Sequence, residues 1–196
     1  MTTPLDLEPA ARRLADLVRE LPDEALNGPT PCEAYTVGDL LQHVHGSVLA
    51  FTAAAVKQPL DGGPTGDASL LPPDWRTAIP HDLDALVAAW RDPAAWEGMT
   101  AAGGVDLPGE VAGVVALDEL VVHGWDLARA TGRSGEYDGP ELPAVQQWVE
   151  QFSPAGTDGL FGPSVPVPED APLLHRILGR AGRDPNWTPP DAPTGA

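Results

Sequence analysis

The chain has 196 residues, within the range of one domain with a real core. Its 23 prolines and 21 glycines stay below the roughly 25–30% that marks low-complexity sequence, and 42% hydrophobic residues supply a core. Eleven Lys and Arg against 29 Asp and Glu leave a net charge of −18, a sign that repels phosphate and so excludes nucleic acid and anionic membrane surfaces as expected partners.

Leu7 to Leu21 carries apolar residues at Leu7, Ala10, Ala11, Leu14, Leu17, Val18 and Leu21, the 3, 4 spacing of a first helix. NGPTPCEAYT interrupts it, and Thr36 with Asp39 three residues on marks the start of a second helix over Val37 to Val56. Lys57 to Pro80, with five prolines and three glycines, reads as a long connection, and such loops commonly wall or cover a site. A third, shorter helix is predicted from His81 to Arg91, ended by Pro93. EGMTAAGGVDLPGE follows, and Met99 to Leu107 is the one stretch with room for short strands. Val111 to Thr131 is a fourth helix, the most apolar. Shorter helices over Ala144 to Phe152 and Ala171 to Arg180 complete a single domain of residues 1–187, and 188–196 read as a loose Pro-rich tail. No run approaches the ~20 apolar residues of a membrane span. Cys32 is a lone cysteine and the start MTTPLDLEPAARRLADLV has no basic, apolar leader, so a cytoplasmic protein is expected. The pattern is that of an all-α bundle.

The chemistry concentrates on the fourth helix. Its apolar residues cover most of the circumference, leaving Glu119, His123 and Asp126 on one polar stripe at i, i+4 and i+7. Asp118 lies about 140° round from His123 at about 100° per residue and stands apart from them. Taken alone, Glu119 and His123 are equally well explained by a charge-assisted hydrogen bond between them or by side chains that simply face solvent. On the second helix, His43 and His45 flank the apolar stripe on opposite sides, and either reaches a neighbouring helix. One of them beside Glu119 and His123 completes a two-histidine, one-carboxylate set that suits zinc, or nickel or iron, with positions left open for catalysis. Periodicity does not choose between the two.

Elsewhere, ordinary structural roles are expected. Asp126 and Arg129, at i, i+3, read as a salt bridge or as support for the following ATGR turn, and Arg183 beside Asp184 as a surface arginine. Cys32 has nothing near it in sequence to depress its pKa, the six tryptophans read as core or pocket lining, and His81 and His175 as exposed helix ends.

TVGDLLQHVHG, ALDELVVHGWDLARATGR and FGPSVPVPEDAPLLHRILGRAGRDPNW together resemble the metal-binding domain of mycothiol-dependent maleylpyruvate isomerases, a branch of the DinB-like four-helix bundles that includes thiol S-transferases. The resemblance spans Leu7 to Trp187. It implies a DinB-like bundle with a long loop after the second helix and short additional C-terminal helices. It also implies that His43 is the helix-two ligand, joining Glu119 and His123, with His45 a flank residue. The family's isomerase carries a further C-terminal domain, and this chain is expected to fall short of it. The implied partners are a divalent ion, a low-molecular-weight thiol such as mycothiol, a small electrophilic substrate and, at most, a second copy of the chain. A metal- or ligand-sensing bundle and a metal-dependent hydrolase share the same ligand set and are the alternatives.

Overall fold

The computed structural model describes residues 5–190. Four long helices, α1 (Glu8–Glu20), α2 (Val37–Ala55), α3 (Trp75–Trp90) and α4 (Gly109–Ala130), form the bundle, and two short ones, α5 (Leu142–Val149) and α6 (Leu173–Arg180), follow it. α1 and α2 each pack on both α3 and α4, and α5 packs on α4 and α6. Leu14 and Val18 of α1, Leu40 and Leu41 of α2, Leu83 and Leu86 of α3, and Leu117 and Leu127 of α4 meet in one continuous core. The Trp90 indole N–H of α3 donates to the Phe51 carbonyl of α2 at 3.2 Å.

The sequence boundaries of α1, α2 and α4 are recovered within two residues, and α2 opens with the capping box anticipated at Thr36. The Thr36 hydroxyl accepts from the Asp39 N–H, and the Asp39 carboxylate accepts from the Thr36 N–H. The third helix differs. It begins at Trp75, six residues before the expected start, and carries Pro80 in its interior. A proline there forgoes one helical hydrogen bond, at about 3 kcal/mol in an ordinary helix. Trp75 and Ile79, one turn apart and both buried, offset that loss by packing in the core.

The bundle is not purely α. Met99–Ala102 (β1) and Val105–Pro108 (β2) pair antiparallel, Thr100 opposite Leu107, in the stretch where the sequence left room for strands. The hairpin leads straight into α4, whose Gly113 lets the Trp96 ring sit where a Cβ would be. The region after Arg180 holds no further helix or strand up to Pro190, and the rest of the expected tail, 191–196, lies outside the described residues. No described helix is long and apolar enough to cross a membrane.

Replacing Thr36 by Ala removes one half of the capping box and lowers stability by about 1 kcal/mol. The expected result is a lower urea midpoint with an unchanged denaturant slope.

Candidate functional site

On α2 the apolar stripe Val37, Leu40, Leu41, Val44 and Val48 is buried, which leaves His43 and Ser47, one turn apart, on the flank that meets α4. α4 answers with Glu119 and His123, also one turn apart. The Glu119 Oε2 accepts from His43 Nε2 at 3.1 Å and from the Ser47 hydroxyl at 3.0 Å. His123 Nε2 stands 3.8 Å from the same oxygen, and the two imidazole rings meet edge to face with centroids 5.0 Å apart. One potential ligand atom from each of His43, Glu119 and His123 lies within 4.8 Å of the others. His45 is not among them: it faces α3, with Nε2 2.8 Å from the Asp82 carboxylate.

Asp126, fully buried, holds the other side of His123, its Oδ2 2.9 Å from Nδ1. A carboxylate there accepts the Nδ1 proton, so the neutral ring keeps its lone pair on Nε2, the nitrogen facing Glu119. The same oxygen accepts from Arg183 at 3.1 Å. Arg183 reaches it because α6 ends in a Schellman turn: Gly182, at φ +82°, donates to the Gly179 carbonyl and Arg183 N–H donates to Leu178 at 2.8 Å. That turn directs the arginine inward, where it is 8% exposed.

Two expectations are corrected here. Asp126 does not pair with Arg129: its Oδ2 is held by the His123 ring and Arg183. Arg129 instead donates to the Trp187 carbonyl at 3.0 Å and to the Ser134 carbonyl at 3.4 Å, so it supports the turn after α4. Nor is Arg183 a surface residue, since Asp126 supplies the buried partner that adjacency to Asp184 concealed. Ser47 was missed as well, although its i+4 spacing from His43 was available as a signal.

A cavity of about 460 Å³ opens over the cluster. His43, Glu119, His123 and Arg183 lie on one side, and Trp148 and the Thr157–Gly162 turn on the other. This turn, closed by a bridge between Thr157 and Phe161, takes the role expected of the Lys57–Pro80 loop. That loop is bound instead to the outside of α2, where Gln42 Oε1 accepts from Gly66 and Asp67 N–H, and Asp39 accepts from Ala68 N–H. It reaches the site only through Tyr35: Gly66, at φ +66°, lies against the Tyr35 ring, whose centroid is 5.3 Å from that of His43.

The carboxyls of the site are held in different protonation ranges. Burial pushes Glu119 up, but hydrogen bonds from His43 and Ser47 and the charges of both histidines outweigh it and set about 2. Burial likewise acts against Asp126 ionisation, and the Arg183 charge with the His123 hydrogen bond reverses it, leaving Asp126 below its ordinary value. Asp118 lines the cavity but stands outside the ligand cluster, in keeping with its helical angle. Burial and the neighbouring Glu119 push its carboxyl well above the usual range. Cys32, also on the cavity wall, has its thiol raised by burial, so the expectation that it is not activated stands.

Fold and site together define a helical bundle with a His, Glu, His cluster under a small cavity. Residues 7–128 match the family model described as mycothiol maleylpyruvate isomerase N-terminal domain, and the chain belongs to that family. It is 31% identical over 183 residues to the uncharacterized protein Rv0738 of Mycobacterium tuberculosis, covering 86% of this chain and 91% of that one, and equally to MT0763 of a second strain. The crystal structure of the mycothiol-dependent maleylpyruvate isomerase has the same fold, with a TM-score of 0.61 at 18% identity over 95% of this chain and 94% of that chain. The DinB-like helical fold is therefore established.

Because the folded Glu119 carboxyl titrates at about 2 against an unfolded value of about 4.3, its contribution is complete above the unfolded value and is lost as pH falls towards 2. In metal-free protein, stability should decline from about pH 4.5 downward, and Glu119→Gln should flatten that decline. Urea midpoints measured across this range check it.

Proposed function

We propose that this chain is a mycothiol-dependent enzyme of the maleylpyruvate-isomerase-like or S-transferase type, which activates a low-molecular-weight thiol at a divalent ion for attack on a small electrophile. The observation that carries the reading is the His123 ring, tied at Nδ1 to buried Asp126 so that Nε2 faces Glu119 and His43. A histidine ligand oriented through its far nitrogen by a carboxylate is the usual arrangement at a metal.

His43, Glu119 and His123 fit such an ion: two imidazole nitrogens and a carboxylate suit zinc first, and nickel or iron as well. Bound there, a divalent ion supplies the positive charge that makes a coordinated thiol a thiolate at neutral pH. Ser47 holds the Glu119 carboxylate from α2. Asp126 keeps the His123 proton on Nδ1, and Arg183 keeps Asp126 ionised in turn. The site thus provides ligands and positioning groups, and the thiol itself is the nucleophile. Trp148 and Phe161 give the cavity an aromatic side, and its size suits a small organic electrophile rather than a macromolecule.

The family to which the chain belongs is named for a mycothiol enzyme, and the structural neighbour is described as mycothiol-dependent. That supports mycothiol as the thiol.

Untagged protein should carry about one divalent ion per chain. His43→Ala, Glu119→Ala and His123→Ala should each abolish tight binding, and Asp126→Asn should weaken it about 10–100-fold. His45→Ala and Asp118→Asn should retain it. Elemental analysis and metal titration decide, and ion loss in His45→Ala with retention in His43→Ala would reverse the assignment.

With cobalt in the site, mycothiol should produce a sulfur-to-metal charge-transfer band and release a proton. Affinity should rise with pH up to the free thiol's own pKa of about 8.5. A loaded, accessible cobalt protein whose spectrum ignores mycothiol, glutathione and cysteine would remove the thiol from the reading.

A further inference from the structure

The charges around the cavity bear on what it can admit. Among the described residues that line it, Arg183 is the single Lys or Arg, and its charge is already committed. It is 8% exposed, with Nη2 donating to the fully buried Asp126 and Nη1 to the Ala181 carbonyl. Its remaining nitrogen, Nε, is closed to solvent. Arg183 and Asp126 together therefore present no net positive charge to the cavity.

Two carboxylates face the same space. Glu119 is held ionised, and Asp158 is exposed on the Thr157–Gly162 turn. Asp118 is kept towards the neutral acid and adds neither sign. A divalent ion in the cluster does not reverse the balance, since Glu119 and a bound thiolate offset its two charges. An anion beside them meets Asp158 with no uncommitted cation to set against it. The rest of that wall is apolar. Trp148 and Phe161 line it, each meeting Phe152 edge to face at centroid distances of 4.8 and 5.1 Å, and Leu160 stands 54% exposed on the turn, facing the cavity. An open leucine beside an aromatic row gains from being covered by apolar surface.

We propose that the small molecule taken by this cavity, the electrophile on the thiol reading, is uncharged with an apolar or aromatic body that packs on Leu160, Phe161 and Trp148, and that Asp158 beside the neutralised Arg183 selects against carboxylates. This rests on the thiol reading of the neighbouring cluster and names the class of its second substrate.

The test is a saturation-transfer NMR titration of the full chain with para-toluamide and para-toluate, unreactive ligands of one shape that differ by a single negative charge. It is run on metal-free protein and on protein loaded with zinc and mycothiol, at about pH 8, where an ordinary histidine is neutral. In both forms para-toluamide should bind about fivefold to tenfold more tightly. Asp158→Asn should narrow that ratio about twofold to fivefold, and raising salt from about 0.05 to about 0.5 M should narrow it in the wild type and less in the variant. Para-toluate binding as tightly as para-toluamide means that Arg183 keeps its charge available to a ligand, and the proposal is rejected. A preference that neither Asp158→Asn nor salt alters rejects it as well, and so does failure of both ligands to bind. Each of these leaves the thiol reading intact where the cobalt protein shows the mycothiol band. A missing band overturns the thiol reading alone if the metal-free protein still prefers para-toluamide.

Discussion

A fully buried carboxylate, Asp126, ties the molecule together. Ionised in the interior, it is strongly unfavourable unless charge and hydrogen bonds surround it. His123 satisfies it from the preceding turn of α4 and Arg183 from beyond α6, 57 positions along the chain. One oxygen therefore fixes the His123 ring and anchors the segment after the bundle over the cavity. Removing Arg183 would leave a buried negative charge, and the tightness of this demand explains why a chain with only 11 basic residues commits one of them to the interior.

Three acidic residues within nine positions of α4 meet three different solutions. Asp118 is kept towards the neutral acid by burial. Glu119 is held ionised by two histidines and Ser47, and Asp126 by Arg183 and His123. The differences come from what each helical angle meets: α2 opposite Glu119, α6 and its turn opposite Asp126, and α5 near Asp118. Such a polar stripe on a helix otherwise buried on several sides weakens the bundle relative to an apolar one. Its presence is therefore better explained by the site than by the fold.

The parts legible in sequence were those governed by local rules. The Thr36–Asp39 cap fixed the start of α2, and the i, i+4 pair of Glu119 and His123 was visible from periodicity. The choice of His43 over His45 came from family resemblance; the structure brings His43 beside Glu119 and His123 and turns His45 to α3 and Asp82. Long-range partners were hidden. Nothing near Arg183 in sequence announces Asp126, although Gly182 after a helical run was a usable sign that the chain turns there. Pro80 looked like a helix boundary by local sterics, and tertiary packing of Trp75 and Ile79 overrode it. The Lys57–Pro80 loop looked functional by length, whereas its hydrogen bonds to Gln42 and Asp39 hold it to the outer face of α2.

The two sides of the cavity have different positions relative to the family match. His43, Glu119 and His123 on one side fall within residues 7–128, whereas Trp148 and the Thr157–Gly162 turn on the other lie beyond. The ligand cluster is embedded between α2 and α4, where a change of one methylene disturbs core packing. The opposite wall is mostly loop, and loops accept substitution with little effect on a core. A chain built this way can alter what it admits through the wall while its donor set stays in place. Arg183 limits that freedom, because the same late segment that shapes the wall also holds Asp126, and through Asp126 the orientation of His123.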